Sequence, residues 1–120
     1  MHECINMHCN EEKLDGLLLE LGFDDFVRGT DYLWRAVRRF DRREKLTALY
    51  AELGKAEGCT GAVYERTIRH AKEKALGRGN IHAWTRVFGW TLDPYSGGLT
   101  NGGLTNGELI ARLARLCRED

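Results

Sequence analysis

Apolar positions recur along most of this chain at the three- and four-residue spacing of helices that bury one face. From Glu11 to Leu21, Leu14, Leu17, Leu18 and Leu21 trace one helical side, and Gly22 stands ready to end it in left-handed geometry. A second helix is predicted from a Thr30 cap to about Phe40, with Leu33, Ala36, Val37 and Phe40 inward and Arg35, Arg38 and Arg39 outward. Leu46, Leu49, Tyr50 and Leu53 form the apolar side of a third, from about Arg42 to Glu57. In the stretch from Thr60 to Asn80, Tyr64, Ile68, Ala71 and Ala75 fall at i, i+4, i+7 and i+11, a narrow buried stripe. Gly79 ends that helix and Asn80 caps the next, Ile81 to Phe88, whose Ile81, Trp84, Val87 and Phe88 close the core; Trp34, Trp84 and Trp90 read as structural. Thr105 with Glu108 three residues on is a capping box that opens a last helix with Leu109, Ile110, Leu113, Ala114 and Cys117 apolar and Arg112, Arg115 and Arg118 outward. The pattern therefore predicts an all-α domain of about six helices.

The third and fourth helices have the punctuation of a helix-turn-helix. Gly54 supplies a small residue where the helices cross, Gly58 a turn position tolerant of positive φ, Thr60 a cap, and Tyr64 and Ile68 the anchors of the second helix. On the face opposite the stripe lie Ala62, Arg66, Arg69 and Glu73, with Glu65 and His70 at its margins. No wing is predicted after it. Between Asp93 and Gly107 the chain reads as a loop containing a duplication, Gly98-Leu99-Thr100-Asn101-Gly102 followed by Gly103-Leu104-Thr105-Asn106-Gly107. Only the second copy has a glutamate placed to complete the capping box, so the first is a surface insertion.

Charge sharpens this picture more by its distribution than by its sum. Lys and Arg balance Asp and Glu at 18 each, yet Glu3 to Asp25 is acidic, Arg28 to Lys45 is rich in arginine and the fourth helix is basic again. The 120 residues fit one domain able to bury a core unaided, preceded by a flexible arm at 1–10. Cys4, Cys9, Cys59 and Cys117 show no paired spacing and no apolar signal segment is present, which points to a reduced, cytoplasmic chain. No window approaches the roughly 18–20 apolar residues of a membrane span. His2, Cys4, His8 and Cys9 are metal-ligating types, but adjacent His8 and Cys9 reach one tetrahedral ion poorly, so no metal or cofactor is assigned. Cys59, with no neighbouring base, reads as a small hydrophobe. There is no phosphate-cradling glycine loop and no nucleophile with an evident base, so no enzyme is expected.

The strings Tyr64-Glu65-Arg66-Thr67-Ile68-Arg69-His70-Ala71, Arg78-Gly79-Asn80-Ile81 and Phe88-Gly89-Trp90-Thr91 resemble the C-terminal effector-domain family of the stage-zero sporulation regulators. Gly29, Tyr32-Leu33, Arg35-Ala36 and Leu49-Tyr50 upstream, and Thr105-Asn106-Gly107-Glu108 with Ile110-Ala111 downstream, extend the resemblance over about residues 12 to 119. The segment between Ala36 and Leu49 is shorter than in the family. The resemblance implies binding to tandem DNA sites by head-to-tail pairs of domains, with the last helix near the pair contact. It carries contact roles to Glu65, Arg66, Arg69 and His70. Val63 stands where the family has a further arginine, and Gly61 and Ala62 replace serines. The family's regulators place a receiver domain ahead of the effector, so this chain is expected to act as a free-standing effector.

The expected partner is double-stranded DNA. Arg66 is the residue for a base edge, since an arginine fork matches guanine O6 and N7, and Glu65 is placed to accept from a cytosine amino group. Arg69, His70, Lys72 and Arg78 are cast as phosphate contacts. The rival expectation is an interaction module that pairs with a full-length response regulator and restrains it.

Overall fold

The computed structural model describes residues 9–78, 81–88 and 104–119. His2, Cys4, His8, Gly79, Asn80, Trp90 and the first copy of the duplication lie outside them. Among the described residues six helices run in chain order: α1 Glu11–Leu21, α2 Arg28–Arg39, α3 Leu46–Glu57, α4 Gly61–Gly77, α5 Ile81–Phe88 and α6 Asn106–Arg118. No strand occurs among the described residues.

Helix ends follow local chemistry where a side chain or glycine was available to make them. The Asn10 carboxamide oxygen accepts from Lys13 N–H at the start of α1, and Gly22 closes it with φ 98°. Thr60 accepts from Val63 N–H at 3.1 Å, and Thr105 and Glu108 form the reciprocal capping box of α6. Two starts differ from expectation. Helix α2 begins at Arg28 without a side-chain cap, and the Thr30 hydroxyl is buried inside its first turn with no partner. Helix α3 begins at Leu46 rather than near Arg42, because Asp41 turns its carboxylate onto the Arg43 backbone N–H and holds 41–44 in a turn.

Helix α4 is the centre of the packing, lying against α3 and α2 and touching α6. Tyr64, wholly buried, stacks on Tyr32 with ring centroids 4.1 Å apart and donates its hydroxyl to the Tyr32 carbonyl at 2.9 Å. The second half of the core gathers on Trp84, which stacks on Phe88, tilts against Phe23 and donates Nε1–H to the Leu21 carbonyl. Ile68, Ala71, Val87, Leu113 and the α1 residues Leu14, Leu18 and Leu21 join them in one cluster. Burying each large apolar side chain contributes about 1.5–3 kcal/mol. Trp34 sits at the core edge as expected, its indole donating to Asp15.

Three expectations are corrected by side chains that fold back on the body. Arg118 does not point outward: its Nη2 donates to the carbonyls of Val37, Arg38 and Phe40 around the end of α2. Cys9 and Cys117 are joined as a disulfide across 108 residues, with Cα atoms 5.2 Å apart. Their remoteness in sequence is why spacing gave no sign of the pair. The same link, with Asn10 N–H donating to the Cys117 carbonyl at 2.8 Å, pins residues 9 and 10 that belonged to the expected flexible arm. The arginine run, by contrast, stays at the surface as expected and is paired there, with Arg35 on Asp31, Arg38 on Glu11, Arg39 on Glu52 and Arg43 on Asp41. Those pairs are exposed and contribute little individually.

Candidate nucleic-acid interface

The helix-turn-helix is set by how closely its two helices approach. A Cβ on Gly54 would lie 2.8 Å from the Cys59 carbonyl oxygen and 2.9 Å from that of Thr60, so only glycine lets the turn fold under α3. Gly58 turns the chain with φ 78°, and Cys59, half-buried beside it, carries a free thiol. Tyr64, Ile68, Ala71 and Ala75 point into the core as the periodicity predicts. Their burial fixes which side of α4 faces out.

The six expected contact residues separate into three kinds, five with exposed or partly exposed side chains and Lys72 buried. Arg66 and His70 are exposed, and neither has an ion pair or hydrogen bond among the described residues. Arg69 is partly exposed and already paired, its Nη1 lying 3.1 Å from Glu65 Oε1. Glu65 is more enclosed than expected: Asn106 Nδ2 donates to its Oε2 and to its backbone oxygen, each at 2.9 Å. Arg78 sits at the far end of the helix, where Nη1 donates to the Gly22 carbonyl at 2.6 Å and Nη2 lies 3.8 Å from Asp24. It closes the end of α1 as well as facing solvent.

Lys72 departs from its expected role. Only 6% of its surface is exposed, and its ammonium donates to the Leu104 carbonyl. Burial depresses its pKa, an effect that nearby Glu73 and Glu65 oppose. The wheel places residue 72 next to the Ile68–Ala71 stripe, and the approach of α6 covers that flank. An ammonium held on a buried carbonyl does not reach a phosphate.

Asn106 lies buried beneath this surface and supports it from α6. Its position as the first residue of α6, directly after the Thr105 cap, was legible; its reach to Glu65, 41 residues earlier, was not. Val63, at the entry of α4, is exposed at 39% and puts an isopropyl group on this face. Among the described residues no group of three or more His, Cys, Asp or Glu side chains is placed to hold a metal ion, and no helix is long and apolar enough to cross a membrane.

The geometry is that of a helix locked by its inner face and presenting a cationic outer one. The family model described as sporulation initiation factor Spo0A C terminal matches residues 14–116, nearly all of α1 through α6.

Proposed function

This chain belongs to the Spo0A C-terminal family of helical DNA-binding effector domains, which is not a family of enzymes, and from that premise we propose that α4 enters the major groove and reads duplex sequence there through Arg66. The observation that carries this reading is the state of Arg66: an exposed guanidinium with no ion pair among the described residues, on a helix whose opposite face is locked in the core. An arginine held by a carboxylate must give up that partner before it can take a guanine. Among the described residues, Arg66 has none to give up.

Arg69 and His70, beside it, serve as phosphate contacts that set register, and Arg78 does so from the end of the helix. The protein acts as a transcriptional regulator. Head-to-tail pairs occupy tandem sites, with α6 near the pair contact. Occupancy then follows protein concentration and site arrangement.

Selection of preferred sites from a random duplex pool, followed by competition at one fixed salt concentration, tests this. The unmodified protein is expected to enrich a defined site, and Arg66→Ala to lose most of the preference for it, the loss of a bidentate guanine contact being worth about 1–3 kcal/mol. Residual binding to any duplex remains. Enrichment of no sequence would favour the module that pairs with a full-length regulator, and a preference unchanged in Arg66→Ala would place readout on another residue.

A further inference from the structure

Glu65 is the natural second reader on α4, because its carboxylate lies one residue before Arg66 and carboxylates accept from cytosine N4. The structure gives that carboxylate a different occupation. Oε2 accepts from Asn106 Nδ2 at 2.9 Å, and the same amide nitrogen also reaches the Glu65 backbone oxygen at 2.9 Å. Oε1 faces Arg69 Nη1 at 3.1 Å. Asn106 is only 5% exposed, and its Oδ1 is buried without a hydrogen bond, so its amide is cut off from solvent. If Glu65 swung out to a base, the buried Asn106 amide would keep the backbone oxygen but lose its second acceptor, leaving one buried N–H unpaired at a cost of the same order as the stabilisation a base edge supplies.

The entry of α6 is seated on α4 at a second point. Lys72 donates to the Leu104 carbonyl, while the Thr105–Glu108 capping box fixes the backbone between Leu104 and α6. Asn106 is thus held from both sides, by its own helix and by α4. Its donor is aimed at Glu65 by structure that does not depend on DNA.

We propose that Asn106 and Glu65 form a clamp that positions Arg69, so that Glu65 is a positioning residue and not a base reader, and Asn106 contributes to specificity without touching DNA. The carboxylate held by Asn106 in turn holds the Arg69 guanidinium one helical turn beyond it, and limits the orientations in which α4 presents its cations. This inference rests on α4 being the groove helix.

The test applies the same selection and competition assays to Asn106→Ala, Glu65→Ala, the double variant and Glu65→Gln, each checked by thermal melting for a folded state. Asn106→Ala and Glu65→Ala should each lower preference for the selected site by about three- to tenfold, and the double variant should fall no further, since neighbours in one network are not additive. Glu65→Gln is near-isosteric and stands in if an alanine variant fails to fold. It keeps an acceptor for Asn106 and loses the charge that holds Arg69, so it should weaken preference while enriching the same bases. A glutamine at a base-reading position would instead trade cytosine for adenine at one site position. That exchange, or a wild-type preference ratio in Asn106→Ala, would overturn the clamp and leave the groove assignment standing. If the unmodified protein binds no duplex at all, the groove assignment falls first and the clamp with it.

Discussion

The two lysine and arginine neighbours on α4 that look alike in sequence differ in what surrounds their charge. Lys72 is buried on the Leu104 carbonyl, whereas Arg69 keeps its guanidinium at the surface beside Glu65. Each phosphate contact removed should flatten the fall of log K with log salt by roughly one unit. Arg69→Ala is therefore expected to change that slope, and Lys72→Met to leave it unaltered while lowering the melting temperature. Titrating a fluorescent duplex at four or five salt concentrations separates the two. A second residue-scale consequence concerns the buried tyrosines, Tyr32 stacked on Tyr64 and Tyr50 tilted against it. Burial raises the pKa of Tyr50 from 10.0 to about 12, and raises those of Tyr64 and Tyr32 as well. Because the folded values lie above the unfolded one, the stability they contribute is complete below pH 10 and is lost as pH rises through the folded values. Melting temperature should fall between pH 10 and pH 12, and Tyr50→Phe should make that fall shallower.

At the scale of elements, the helix-turn-helix depends more on a missing side chain than on a present one. Gly54 sits under two carbonyl oxygens of the turn, within distances that real Cβ atoms do not tolerate, and those oxygens are backbone that cannot swing aside. Gly29 plays the same part where α2 crosses α4, since a Cβ there would lie 2.5 Å from the Thr67 carbonyl oxygen. Alanine at Gly54 should destabilise the fold by about 1–3 kcal/mol, the cost of overpacking, even though alanine favours helix. Urea unfolding followed by circular dichroism measures it. An unchanged midpoint would mean that the turn relaxes around the methyl group, and that the approach of α3 to α4 is not what orients the outer face.

For the whole molecule, the Cys9–Cys117 link ties the residues ahead of α1 to the end of α6, closing nearly the full length of the chain. In the chain-entropy account, closing a loop of roughly 100 residues stabilises by about 4.7 kcal/mol when the native geometry is undistorted. Reductant should lower the melting temperature of the unmodified protein, while Cys117→Ser should melt at one temperature with or without it. Since α6 also seats Asn106 and Leu104 on α4, loosening its far end tests whether the outer face of α4 is held locally or by the whole helix.

The amphipathic period and the capping chemistry were enough to determine six helices, the buried stripe of α4 and the turn at Gly54 and Gly58. These are properties of neighbours within one or two turns, where side-chain type and backbone preference act directly. The family was legible as well, through short strings of α4 and its surroundings. Tertiary structure alone decided which polar groups are spent inside the fold. Lys72, Glu65, Arg118, Cys9 and Cys117 each meet a partner at least 32 residues away, and no local pattern encodes that meeting. The start of α2 differs for a related reason, since Thr30 has the chemistry of a cap but lies buried inside the first turn; the start of α3 differs for a local one, the turn that Asp41 makes with Arg43 and Glu44.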